Sequence, residues 1–124
     1  MKLDCVDIWE RYPGYHEYGD IEDCYKNAQT ILKPYNCTLI KKFSMDAVKD
    51  YPNGSLDFVY IDGAHDFKSV AEDDCEWSRK VRVGGLVFGH DFKRWIPGKS
   101  RYVCDVKDVI GGFCYAKNIH PCVS

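Results

Sequence analysis

Apolar and polar positions along the chain change period several times, and each change marks an element. From Leu3 to Trp9 the apolar residues Leu3, Cys5, Val6, Ile8 and Trp9 read as a short strand with Asp7 near its end. Residues 10–20 place Pro13, Gly14 and Gly19 among Tyr12, Tyr15, His16 and Tyr18, a loop without period of the kind that lines sites. Asp20 stands where a helix cap is needed. After it Ile21, Cys24, Tyr25, Ala28, Ile31 and Leu32 recur at the spacing of one buried helical face, and Pro34 closes the run. Cys37 to Phe43 returns to a strand pattern, and Ser44 to Tyr51 reads as a short helix ended by the Pro52-Asn53-Gly54 turn.

Leu56 to Ile61 is nearly continuous in apolar residues, which predicts a strand covered on both faces. From Asp66 a second amphipathic helix sets Phe67, Val70, Ala71 and Cys75 toward a core and Lys68, Glu72, Asp73 and Glu76 toward solvent. Gly84-Gly85 then breaks the pattern ahead of a short buried strand, Leu86 to Phe88, which stops at Gly89, His90 and Asp91. A polar loop through Gly98 leads to a helix over Val103 to Tyr115 and a ragged end at His120-Pro121.

Strands alternating with helices predict one α/β domain over residues 1–124, a three-layer sandwich with a mostly parallel sheet and right-handed crossovers. In such sheets ligands bind beyond the carboxyl ends of the strands, where Asp7, Asp62, His90 and Asp91 all fall.

Charge narrows the choice of ligand. A formal net charge of -2 supplies no field that would recruit nucleic acid or an anionic membrane, so a small-molecule substrate fits better. No apolar run approaches the ~20 residues of a membrane span, and the charged N-terminus does not read as a signal peptide, which together predict a soluble, cytoplasmic protein. Seven scattered cysteines, with no Cys-x-x-Cys pair, argue against a disulfide scaffold or a zinc knuckle and for small buried apolar residues.

Two segments carry a family likeness: Ser55-Leu56-Asp57-Phe58-Val59-Tyr60-Ile61-Asp62-Gly63-Ala64-His65-Asp66, and Gly84-Gly85-Leu86-Val87-Phe88-Gly89-His90-Asp91. Together they resemble the class I S-adenosylmethionine-dependent methyltransferases. The match is to the small-molecule subgroup with an Ile-Asp-Gly-x-His signature, and the likeness spans roughly residues 3 to 115. It implies methyl transfer from S-adenosylmethionine to an oxygen or nitrogen nucleophile of a small molecule. It also implies that Asp7 accepts from the cofactor's ribose hydroxyls, the alternative being a solvated carboxylate at a strand end. Ser44 and Asp46 fall where the family contacts adenine, although Ser44 serves equally as the cap of a helix beginning at Asp46. Asp62 is implied in cofactor binding and in catalysis. With His90 and Asp91 it is also implied in holding a divalent cation, Mg²⁺ or Mn²⁺, with Zn²⁺ or no metal left open because an imidazole replaces an acid. His65 is implied as a general base, or as a residue that orients the following helix. His16 and His120 read as surface residues.

The chain also departs from the family. The Gly-x-Gly-x-Gly loop with its strand, which meets the methionine end of the cofactor, is not found, and the terminal hairpin shrinks to a few residues near 119–123. The expected fold is thus a truncated Rossmann-like one, running from the family's second strand to the helix after its fifth. Its missing strand belongs at the centre of the sheet, so the second and fourth strands close up, another chain supplies the strand, or the sequence is a fragment. A homo-oligomer or a completing partner chain is expected. The competing readings are a non-catalytic, methyltransferase-like partner subunit that has lost cofactor binding, and a different nucleotide-binding α/β protein using Asp7 for ribose.

Overall fold

The computed structural model describes residues 1–11, 19–99 and 103–122. The chain runs β1 (Leu3–Asp7), α1 (Ile21–Leu32), β2 (Cys37–Lys41), α2 (Ser44–Ala47), a 3₁₀ turn (Val48–Asp50), β3 (Leu56–Ile61), α3 (Phe67–Lys80), β4 (Val81–Gly89) and α4 (Val106–Lys117). This is the expected alternation, and it forms two compact units, 1–47 and 48–124. The loop expected at 10–20 lies mostly outside the described residues, His16 included. Of the terminal stretch expected near 119–123, residues 119–122 are described and form no strand.

In the first unit β1 and β2 pair in parallel, from Leu3 opposite Cys37 to Asp7 opposite Lys41. Asp20 caps α1 as its position predicts, accepting from the Glu22 N–H at 3.0 Å. Trp9 lies against Tyr25 with ring centroids 5.3 Å apart. The helix α1 carries no fully buried residue. Cys5 and Cys37 approach to 3.5 Å between Sγ atoms, and burial, followed by the hydrogen bond with Cys37, pushes the Cys5 thiol up to about 11.

In the second unit β3 and β4 pair in parallel, with Phe58 opposite Leu86, Tyr60 opposite Phe88 and Ile61 opposite Gly89. The helix α3 packs on this pair and on α4. Its contact with α4 is a cluster of Val70, Val106 and Val109, flanked by Ala71, Cys104 and Ile110. Trp77 is buried near the far end of α3, its ring 5.4 Å from that of Tyr51.

Several expectations change here. The four strands form two two-stranded parallel sheets, β1-β2 and β3-β4, and not one four-stranded sheet. The strand β3 is not covered on both faces: Phe58 is half-buried, while Tyr60, Leu86 and Phe88 on the same face are 47%, 66% and 48% exposed. The Gly84-Gly85 pair does not separate a helix from a strand. The helix α3 continues to Lys80, β4 starts at Val81, and the glycines form an irregularity inside it, with Gly84 at φ 78° and the ladder register shifting between Leu56 and Phe58. A Cβ on Gly85 would lie 2.5 Å from both the Asp57 carbonyl oxygen and Val81 Cγ1, so only glycine fits that crossing.

The buried stripe of α3 is Val70, Asp73, Asp74 and Trp77, an i, i+3, i+4, i+7 set that contains two acids. Asp73, expected to face solvent, is inside; Phe67 and Cys75, expected inside, are exposed. The helical spacing is the expected one, but the buried face is rotated from the apolar stripe because two acids lie on it. All seven cysteines are free, as expected, yet only Cys114 is buried, and Cys24, Cys75 and Cys122 are exposed. Among the described residues no helix is long and apolar enough to cross a membrane.

Candidate functional site

Two strand ends build the site. The strand β3 ends at Ile61 and delivers Asp62, Gly63, Ala64 and His65 before Asp66 caps α3, accepting from the Ser69 N–H at 3.1 Å. Hydrogen bonding from Ser69, from its side chain first and its N–H after it, holds the Asp66 carboxyl below the ordinary carboxylate range. Beside it β4 ends at Gly89 and delivers His90 and Asp91, the His90 N–H bonding to the Ile61 carbonyl at 3.2 Å. Because β3 and β4 are parallel neighbours, both tails leave from the same edge.

Asp62, His65, His90 and Asp91 come together there. His65 Nε2 lies 3.5 Å from Asp91 Oδ2 and 3.9 Å from Asp62 Oδ1; His90 Nδ1 lies 3.2 Å from Asp91 Oδ2 and 3.9 Å from Asp62 Oδ1. The Asp62 side chain is 45% exposed, against 18% for Asp91. The two oxygens of Asp91 have separate partners. Oδ2 faces the imidazoles, and Oδ1 pairs with the Lys93 ammonium, whose hydrogen bond, with a smaller contribution from His90, holds the Asp91 carboxyl below its usual range. Asp91 adopts φ 52°, in the left-handed region that aspartate tolerates better than most residues.

One ligand atom each from Asp62, His65 and Asp91 lie within 4.8 Å of one another, so the geometry favours His65 over His90 as the third member beside the two acids. Two carboxylate oxygens and an imidazole nitrogen suit Mn²⁺ or Zn²⁺ better than the all-oxygen preference of Mg²⁺. The same group, without an ion, holds an imidazole between two acids on an accessible edge, an arrangement able to take a proton from a substrate hydroxyl or amine.

Sequence reasoning missed the residues that support this edge. Asp105, just before α4, donates its N–H to the His65 carbonyl at 2.9 Å and accepts from the Phe67 N–H at 3.0 Å through Oδ2. Cys104 places its thiol 3.6 Å from the carbonyls of Asp91 and Lys93, and the Lys107 N–H reaches the Lys93 carbonyl at 3.1 Å. Asp73 packs from below: a Cβ on Gly63 would come within 3.1 Å of its Oδ2. An acid directly ahead of a helix was the available signal for Asp105. None existed for Asp73.

The remaining predicted residues lie in the first unit and are described separately. Asp7, at the carboxyl end of β1, is exposed, and its Oδ1 accepts from the Trp9 N–H at 2.8 Å, which fixes the carboxylate in a tight turn. The Lys42 N–H bonds to the Asp7 carbonyl at 3.1 Å. Ser44 is half-buried and Asp46 exposed. Ser44 is not a cap ahead of a helix starting at Asp46, because α2 already includes it and the Phe43 carbonyl accepts from the N–H groups of Asp46 and Ala47. His120 is exposed, as expected.

No curated protein and no solved structure matches the chain. A family model described as a methyltransferase domain matches residues 1–92, which include β1 through β4 and every residue of the His–Asp cluster. The chain belongs to that methyltransferase domain family.

Proposed function

We propose that the protein is an S-adenosylmethionine-dependent methyltransferase acting on an oxygen or nitrogen nucleophile of a small molecule, with the edge formed by Asp62, His65, His90 and Asp91 as its reaction centre. The observation that carries this reading is the convergence of two acids and two imidazoles at the carboxyl ends of the paired strands β3 and β4. When bound, the cofactor supplies an electrophilic methyl group on sulfonium. Asp7 binds the ribose hydroxyls through a carboxylate held by its own turn, Ser44 and Asp46 sit where adenine is contacted, and Asp62 is assigned to the cofactor side as well as to catalysis. His65 removes the nucleophile's proton; were a divalent ion held by Asp62, His65 and Asp91 instead, that ion would make the nucleophile more acidic and His65 would serve as its ligand.

Calorimetry with S-adenosylmethionine and S-adenosylhomocysteine tests the reading. Binding is expected, and Asp7→Ala is expected to weaken it by about 1.5–3 kcal/mol, the worth of hydrogen bonds to a charged acceptor, or roughly 10- to 150-fold in Kd. Absence of binding by the wild-type chain would favour the second reading, a non-catalytic partner subunit.

We further propose one methyltransferase-like domain over 1–124, in a soluble cytoplasmic protein whose sheet is completed by a second copy or a partner chain, with neither nucleic acid nor membrane as a ligand. The separate two-stranded sheets and the exposed face of Tyr60, Leu86 and Phe88 support completion from outside these residues. Light scattering at micromolar concentration is expected to give a mass above that of the monomer, and a monomer mass counts against self-association.

A further inference from the structure

We propose that Asp105 is a positioning residue for His65, so that the segment leading into α4, beyond the family-matched residues 1–92, is part of the reaction centre. This rests on the reading of the Asp62–His65–Asp91 edge given above. His65 and Asp66 occupy the corner between β3 and α3, where the backbone belongs to neither ladder nor helix and its orientation must be set from elsewhere. Asp105 brackets that corner. Its own N–H donates to the carbonyl of His65 at 2.9 Å, and its Oδ2 accepts from the N–H of Phe67 at 3.0 Å, so one residue holds the chain on both sides of Asp66. Although Asp105 is the residue preceding α4, its carboxylate does not cap that helix. The acceptor is spent on the 65–67 corner. The same segment fixes the opposite wall, through the Cys104 thiol at the carbonyls of Asp91 and Lys93 and the Lys107 N–H at the Lys93 carbonyl. The valines of α3 and α4 clamp the two helices directly behind this bracket. Outer partners that orient a ligating or basic imidazole typically change metal affinity or activity by about 10- to 100-fold when removed, without touching the ligand themselves.

Three substitutions in the full chain test it. Asp105→Ala removes the acceptor; Asp105→Asn keeps one in the same place. Phe67→Pro removes the donor instead, at the first position of α3, where proline's φ suits a helix start. Asp66 before it is extended at ψ 154°, as a residue preceding proline prefers, and the ring of Phe67 is 62% exposed. Two readouts are taken on each: Mn²⁺ affinity by paramagnetic resonance, and the imidazole nitrogen chemical shifts of His65 by NMR at one fixed pH. Asp105→Ala and Phe67→Pro are expected to weaken Mn²⁺ binding by about 10- to 100-fold and to displace the His65 resonances, with Asp105→Asn restoring both. Unchanged Mn²⁺ affinity and undisplaced His65 resonances in Phe67→Pro would overturn the proposal, even if Asp105→Ala fails to fold. If the wild type binds no Mn²⁺, the metal part of the functional reading fails and the His65 resonances decide whether Asp105 positions it.

Discussion

Asp62→Asn is expected to lower methyl transfer by about 10²- to 10⁴-fold while leaving the unfolding free energy within about 0.5 kcal/mol of the wild type. The amide keeps the shape of the carboxyl but removes the charge that faces His65 and His90, each 3.9 Å from Asp62 Oδ1, and it is a far poorer ligand for a divalent ion. Stability should not follow activity, because the side chain is 45% exposed and stands after the last hydrogen-bonded residue of β3. His65→Ala is expected to be milder. The second imidazole, His90, already lies 3.2 Å from Asp91 Oδ2 and can take over part of the proton transfer. The check is transfer of a labelled methyl group from S-adenosylmethionine to a low-molecular-mass acceptor pool, alongside a thermal melt. Equal transfer by wild type and Asp62→Asn would remove Asp62 from the centre.

Asp74→Asn is expected to stabilise the protein at pH 7 and to flatten its stability profile between about pH 4 and pH 6. Asp74 is 4% exposed on the inner stripe of α3, and its Oδ2 has no hydrogen-bond partner among the described residues. Burial, with added repulsion from Asp73, raises its carboxyl to about 6 from the ordinary 3.8. Across that window the folded protein keeps a proton that the unfolded chain releases, so stability falls as pH rises and the full penalty is present above the folded value. Each unit of displacement corresponds to about 1.4 kcal/mol, which makes the penalty at neutral pH roughly 2–3 kcal/mol. Asparagine cannot ionise and should recover most of it. Melts from pH 4 to pH 8 decide the matter: an unchanged slope in Asp74→Asn would show that another group carries the dependence. The Cys114 thiol, raised chiefly by burial and also by Asp74, is expected to become easier to alkylate in the same variant.

The stripe that holds Asp73 and Asp74 also shows where reading by pattern stops. Period alone located all four strands and the helices α1, α3 and α4, because hydrogen-bonded ladders and helical turns impose repeats of two and 3.6 on any chain with one buried side. It also placed Asp62, His90 and Asp91 at one edge, since residues just past a parallel strand must lie at its carboxyl end. Tertiary packing decided the rest. It set the phase of α3, where closure against Gly63 and α4 buries two acids that composition assigns to solvent. It turned Gly84-Gly85 from a terminator into an irregularity within β4, because the backbone of Asp57 passes too close for any side chain. It divided the strands into two sheets, since pairing depends on which edges meet and not on how apolar each strand is. And it brought Asp105 back to the corner after β3, a hydrogen-bonded contact between residues 38 apart for which no local pattern exists.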